Sequence, residues 1–166
     1  MSEYSTQRDA LVAALGRVLD AGVPRYGEII WRDDPDDLRA KVYEELDTPG
    51  TYRVHTWMAR PNGSVEVSRT QGKRLRTCEW LLYGYMSVDT RDDTTWTADF
   101  YEEVEALEDT LEEHVRAASG GTVAFAEPPV QLSLGESPLF EFVDLPCLMA
   151  VIRVRFSAFR RRTAQD

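Results

Sequence analysis

Two histidines and two cysteines are the scarcest chemical groups in this 166-residue chain, so their spacing limits the chemistry available. His55 and His114 stand at no spacing that would let them share a metal with Cys78 or Cys147. No structural zinc site is expected. Neither histidine lies near a serine or cysteine in a pattern that marks a nucleophilic triad. Cys78 and Cys147 each fall inside an apolar, strand-like run, where a buried thiol behaves as a small hydrophobe. A disulfide stays open only if their two strands are neighbours.

Phosphate and calcium chemistry fare no better. Gly120-Gly121-Thr122 lacks the lysine and the glycine spacing of a phosphate-cradling loop. No dinucleotide-type glycine pattern and no serine elbow occurs. The acidic runs Asp33-Asp34-Pro35-Asp36-Asp37 and Asp89-Thr90-Arg91-Asp92-Asp93 look like calcium loops. Both lack the central glycine and the closing bidentate glutamate. The sequence therefore reads as a non-catalytic protein without cofactor or metal. An enzyme built on an unmarked pair of carboxylates is the chemical alternative.

Composition narrows the class further. Hydrophobic residues make up 43% and charged residues 29%, an ordinary globular mixture sized for one domain over 1–166. Acids outnumber bases 29 to 19, giving a formal net charge of -10. That balance disfavours an open nucleic-acid binder, which needs a basic surface against phosphates. No apolar run is long enough for a membrane-spanning helix, and no signal-peptide pattern follows Met1. An intracellular chain is expected.

The elements that would position any site can be read from periodicity. A helix is predicted over 6–20, with Thr6 and Asp9 as a capping box. Its apolar face would be Leu11, Val12, Leu15, Val18 and Leu19, ended by Gly22 and Pro24. A short strand is predicted over 26–31, and 31–47 can be read as helix or loop. Another strand is predicted over 51–60, stopped by a turn at Pro61-Asn62-Gly63. Residues 64–69 fit either a hairpin arm or a long loop. From Arg76 to Asp89 apolar residues occupy both faces, which marks a central strand covered on each side. A helix is predicted over 97–118, capped by Thr95 or Thr97, with Phe100, Val104, Leu107, Leu111, Val115 and Ala118 inward. Short strands are predicted at 123–125 and 130–134. In a final strand over 147–159, Leu148, Ala150, Ile152, Val154, Phe156 and Ala158 share one face.

Charge is sorted unusually along these elements. The 97–118 helix carries Asp99, Glu102, Glu103, Glu105, Glu108, Asp109, Glu112 and Glu113, with no lysine or arginine before Arg116. Acids in its first turn would suit the helix dipole, whereas those in its last turn oppose it. Residues 60–76 hold Arg60, Arg69, Lys73, Arg74 and Arg76 against the single acid Glu66. The chain end adds Arg153, Arg155 and the basic tail Arg160, Arg161 and Arg162. An acidic helix and a basic strand end are complementary surfaces for contacts between identical subunits.

Three local pieces then carry a likeness. They are Glu79-Trp80-Leu81-Leu82-Tyr83-Gly84-Tyr85, the run Trp96-Thr97-Ala98-Asp99-Phe100 opening the acidic helix, and Pro146-Cys147-Leu148-Met149-Ala150-Val151-Ile152-Arg153-Val154. In this order, after an opening helix, they resemble bacteriophage tail terminator (tail completion) proteins. The resemblance implies an α+β fold: a mixed, mostly antiparallel sheet with two main helices packed on one face. It implies a ring, usually hexameric, that caps the tail tube, stops its polymerisation and joins tail to head. Partners would be further copies of the chain, the tail tube protein and a head–tail connector or neck protein. The sheath is a further candidate. The protein would sit in the virion's tail or neck after assembly in the host cytoplasm, with no membrane and no specific nucleic-acid partner.

Under that resemblance the charge sorting acquires roles. Glu102, Glu105, Glu108, Asp109 and Glu112 of one subunit would face Arg153, Arg155 and Arg160 of the next. The 60–76 segment, through Arg60, Arg69, Lys73, Arg74 and Arg76, would reach the tube or neck. Two other readings compete: a different neck or tail-assembly component, or a small dimer binding a ligand in an aromatic cleft around Trp57, Trp80 and Tyr83. Those aromatics read more readily as core.

Overall fold

The structure is a computed structural model that describes residues 3–19, 23, 25–26, 35–45, 49–70, 73–88, 95–118, 130–142 and 144–161. The elements run α1 (Glu3–Val18), β1 (Arg25–Tyr26), α2 (Pro35–Val42), β2 (Tyr43–Glu45), β3 (Tyr52–Thr70), β4 (Lys73–Ser87), α3 (Thr95–Ala118), β5 (Val130–Phe142) and β6 (Leu145–Arg161). The strands form one sheet in the order β1-β3-β4-β6-β5, with β2 paired to β3 off this path. Among the described strands only β1 runs parallel to its neighbour. The other ladders are antiparallel. The fold is thus α+β, with a mixed, mostly antiparallel sheet.

Alternation along the strands sends two apolar sets to opposite faces. Trp57, Ala59, Trp80, Leu82, Met86, Leu148, Ala150, Ile152, Val154 and Phe156 meet Leu11, Ala14 and Leu15 of α1 and Phe100, Val104, Leu107, Leu111 and Val115 of α3. Both main helices therefore cover one face. On the other, Val54, Met58, Tyr85 and Cys147 pack with Val42 of α2 and with Phe142, whose ring stacks on Tyr85 at 4.0 Å. As expected from its two apolar faces, β4 is central, between β3 and β6.

Several local expectations are corrected. Helix α1 begins at Glu3, so Thr6 and Asp9 lie within it rather than at its cap. The extra turn is held from below. The Tyr4 ring packs on Trp80 with centroids 5.0 Å apart, and buried Gln7 accepts the Trp80 Nε1–H at 3.0 Å. Val12 lies at the rim, 36% exposed, and Ala14 is inside instead. Helix α3 starts at Thr95, which moves Asp99 out of the first turn, where no acid remains. The segment 31–47 holds both α2 and the short strand β2 within its described part.

The largest correction concerns 60–76. Strand β3 does not turn at Pro61-Asn62-Gly63 but runs on to Thr70 paired with β4, with register shifts at Asn62 and at Val67. Pro61 pairs with Trp80 and Gly63 with Glu79, so Asn62 is the extra residue of a bulge. Gly63 takes φ +113°, a conformation open to glycine, and the turn signal is absorbed as a kink. The supposed loop is a ladder. Strand β6 pairs along β4 as far as Lys73–Arg161, giving a three-stranded arm. Of the strand predicted over 26–31, Tyr26 lies in β1 and 27–31 fall outside the described residues, as do the pieces at 123–125, the run 89–93 and Arg162.

Gly84 shows why one residue type is fixed. A Cβ there would lie 2.5 Å from the Trp57 ring, so the indole occupies the space a side chain would fill. Gly84→Ala should destabilise the protein by about 1–3 kcal/mol through overpacking. Urea denaturation followed by tryptophan fluorescence measures that loss.

Candidate functional site: a carboxylate clamp and two charged surfaces

His55 and Trp57 stand two residues apart on β3, so the pleat places both on the face beneath α3. Glu103 of α3 reaches down to them. Its Oε1 accepts the Trp57 Nε1–H at 2.7 Å and lies 2.9 Å from His55 Nε2. The Trp57 ring is buried and also stacks near Phe100, with centroids 6.3 Å apart. A buried indole N–H needs an acceptor, and Glu103 supplies it. This cluster registers α3 on the sheet. The sequence signal was the spacing of His55 and Trp57 on one strand face, but nothing local named their partner.

A second carboxylate organises the opposite sheet face at the root of the arm. Glu79 Oε2 accepts from Arg155 Nε at 3.1 Å and lies 3.5 Å from Arg153 Nε, while Oε1 accepts from Asn62 Nδ2. Burial alone would raise its pKa. The hydrogen bonds from Asn62 and Arg155 and the charges of Arg153 and Arg155 outweigh that, holding the carboxyl below its ordinary 4.5. Arg155 keeps only 17% side-chain exposure. Arg155 is thus engaged within its own chain, whereas Arg153 keeps 43% side-chain exposure and its Nε makes no hydrogen bond among the described residues. Strand alternation beside Glu79 brings them together, a pairing across strands that spacing along the chain does not reveal.

The acidic helix also divides. Glu108 accepts a backbone hydrogen bond from Leu132 of β5, and burial pushes its pKa up, helped by Asp109 and Glu105 nearby. It belongs to the helix–sheet contact. Glu112 is paired with Arg116 one turn on, and Glu113 with Arg17 of α1 at 3.4 Å. Glu102, Glu105 and Asp109 are exposed, on the side away from buried Val104, Leu107 and Leu111. No ion pair reaches these three among the described residues. They form a single acidic row.

The basic residues of 60–76 separate as well. Arg60 is exposed beside the bulge, and Arg76 is half-buried and donates to the Ser64 hydroxyl. Further out, Arg69 is in register with Arg74, and Arg74 with Arg160. One rung beyond, Lys73 is opposite Arg161. The two basic stretches of the sequence therefore meet at one tip.

Other candidates resolve into structure. Trp57 and Trp80 are buried in the helix-covered core, whereas Tyr83 packs on the opposite face, so they share no cleft. A groove of about 230 Å³ between Tyr4, Pro61 and Arg76 is smaller than most ligand pockets. His114 Nδ1 lies 2.9 Å from the Thr110 carbonyl, a bond within its own helix. Cys78 pairs in register with Phe156 and Cys147 with Ser87, nine residues apart on β4, or roughly 30 Å. Although their strands are neighbours, the two are not disulfide-bonded. Burial pushes the Cys147 thiol up to about 12, which keeps it protonated and unreactive. Among the described residues no three His, Cys, Asp or Glu side chains are grouped to hold a metal ion. No helix there is long and apolar enough to cross a membrane. Compared with models of known protein families and with curated proteins, the chain matches none.

Two substitutions test the carboxylate centres. Glu103→Ala strands a buried indole donor and should cost about 1–3 kcal/mol in urea denaturation; Glu103→Gln, which keeps the acceptor, should cost less. Glu79 has a depressed folded pKa, so its stabilisation is present above pH 4.5 and lost as pH falls through the folded value. Glu79→Gln should therefore be less stable than the parent near neutral pH and match it in strong acid, read from thermal melts across pH.

Proposed function

We propose that this chain is a structural ring subunit of the tail-terminator kind, one that caps a tail tube and links it to the neck. The arm carries this reading. Three paired strands continue past Phe156 and Trp80, the last large side chains of the helix-covered core among those described. From Ser64 to Thr70 the strand rise gives about 20 Å of arm beyond the bulge. A paired arm of that length is suited to a neighbour's surface. The order of elements in the resembling family, opening helix, strand pair, acidic helix and closing strand, is also the order here. The charge on helix and tip suits assembly that salt can weaken.

Light scattering of the purified chain, alone and with its tail tube protein, tests the reading. The expected species has about six times the subunit mass of 18.9 kDa and shrinks in high salt. A stable dimer, or a monomer under both conditions, overturns it.

A further inference from the structure

We infer that the basic tip of one copy's arm docks on the acidic row of the next copy's α3, and that this contact is the ring's repeating joint. The inference rests on the ring reading and assigns its interface. Arg69, Arg74 and Arg160 lie in register across three strands, with Lys73 opposite Arg161 on the adjacent rung. Like charges placed opposite one another weaken a ladder. Glu102, Glu105 and Asp109 follow at helical i, i+3 and i+4 steps, where like charges also repel. By residue type and register the two surfaces are opposite in sign.

They lie well apart within one chain. The near end of the row adjoins Glu108, which bonds to Leu132 of β5; Leu132 pairs with Ile152 and Ile152 with Leu82, and eight residues of β4 separate Leu82 from Arg74. At the strand rise this is roughly 27 Å. The tip continues the sheet, while the acidic row lies on the outer side of the helix layer above it. Surfaces this far apart and differently directed pair between molecules, tip to row. Such a contact is heterologous, and it closes into a ring when the rotation per subunit divides a full turn. Arg155 is already held by Glu79, at the root of the arm rather than at its tip.

Charge reversal tests the joint. One chain carries Glu102→Lys, Glu105→Lys and Asp109→Lys; a second carries Lys73→Glu, Arg74→Glu and Arg160→Glu. Each should keep its circular dichroism spectrum yet fail to assemble by light scattering, and an equimolar mixture should restore the parent's mass. A single chain bearing both sets should assemble by itself. An unchanged ring in either reversed chain, or a mixture that stays apart, overturns the joint while the parent's ring leaves the wider reading standing. A parent that never forms a ring overturns that reading instead. Association of the two reversed chains, absent in each alone, then still decides the pairing. Salt titration of the unaltered protein gives a second readout: an assembly mass indifferent to salt overturns the electrostatic joint.

Discussion

A single indole holds this fold to one arrangement. Trp57 fills the space that Gly84 leaves beside it, and its N–H must then find an acceptor under a helix. Glu103 meets that demand, so the position of α3 along the sheet follows from one hydrogen bond as well as from its apolar stripe. With α3 fixed, Val104, Leu107 and Leu111 face the sheet and Glu102, Glu105 and Asp109 are turned outward. The charged row is a by-product of how the helix is seated.

The same economy governs the basic residues. Glu79 gathers Arg153 and Arg155 at the root of the arm, leaving the tip as the place where positive charge is concentrated. A chain with formal charge -10 thereby keeps a local cationic end. Charge of this kind steers encounter and orientation more than it adds raw affinity. Net charge alone would have missed it.

Much of this was legible in the residues. Two-sided apolar alternation marked β4 as central, and the Phe100 to Val115 stripe marked α3, because each periodicity reports a face that packing must use. What failed was punctuation and pairing. Pro61-Asn62-Gly63 carries the local signature of a turn, yet β4 continues opposite it, and tertiary pairing turned the signal into a bulge. Thr6 and Asp9 spelled a cap, but Trp80, more than seventy positions away, held the helix one turn longer. The Glu103 clamp and the Glu79 pair both join distant segments, and no spacing rule within one segment can see them.

The order in which strands meet has a consequence for how the molecule matures. Strands β3 and β4 are neighbours in sequence, as are β5 and β6, so each pair can close locally. The β4–β6 seam joins positions 60 to 88 residues apart, from Ser87–Cys147 to Lys73–Arg161. Loop closure makes such a seam slow to form. Its outermost rungs also need the last residues of β6. A copy whose β6 has not docked along β4 lacks the arm's third strand. Completion of the arm is in this way tied to closing the longest-range seam of the sheet.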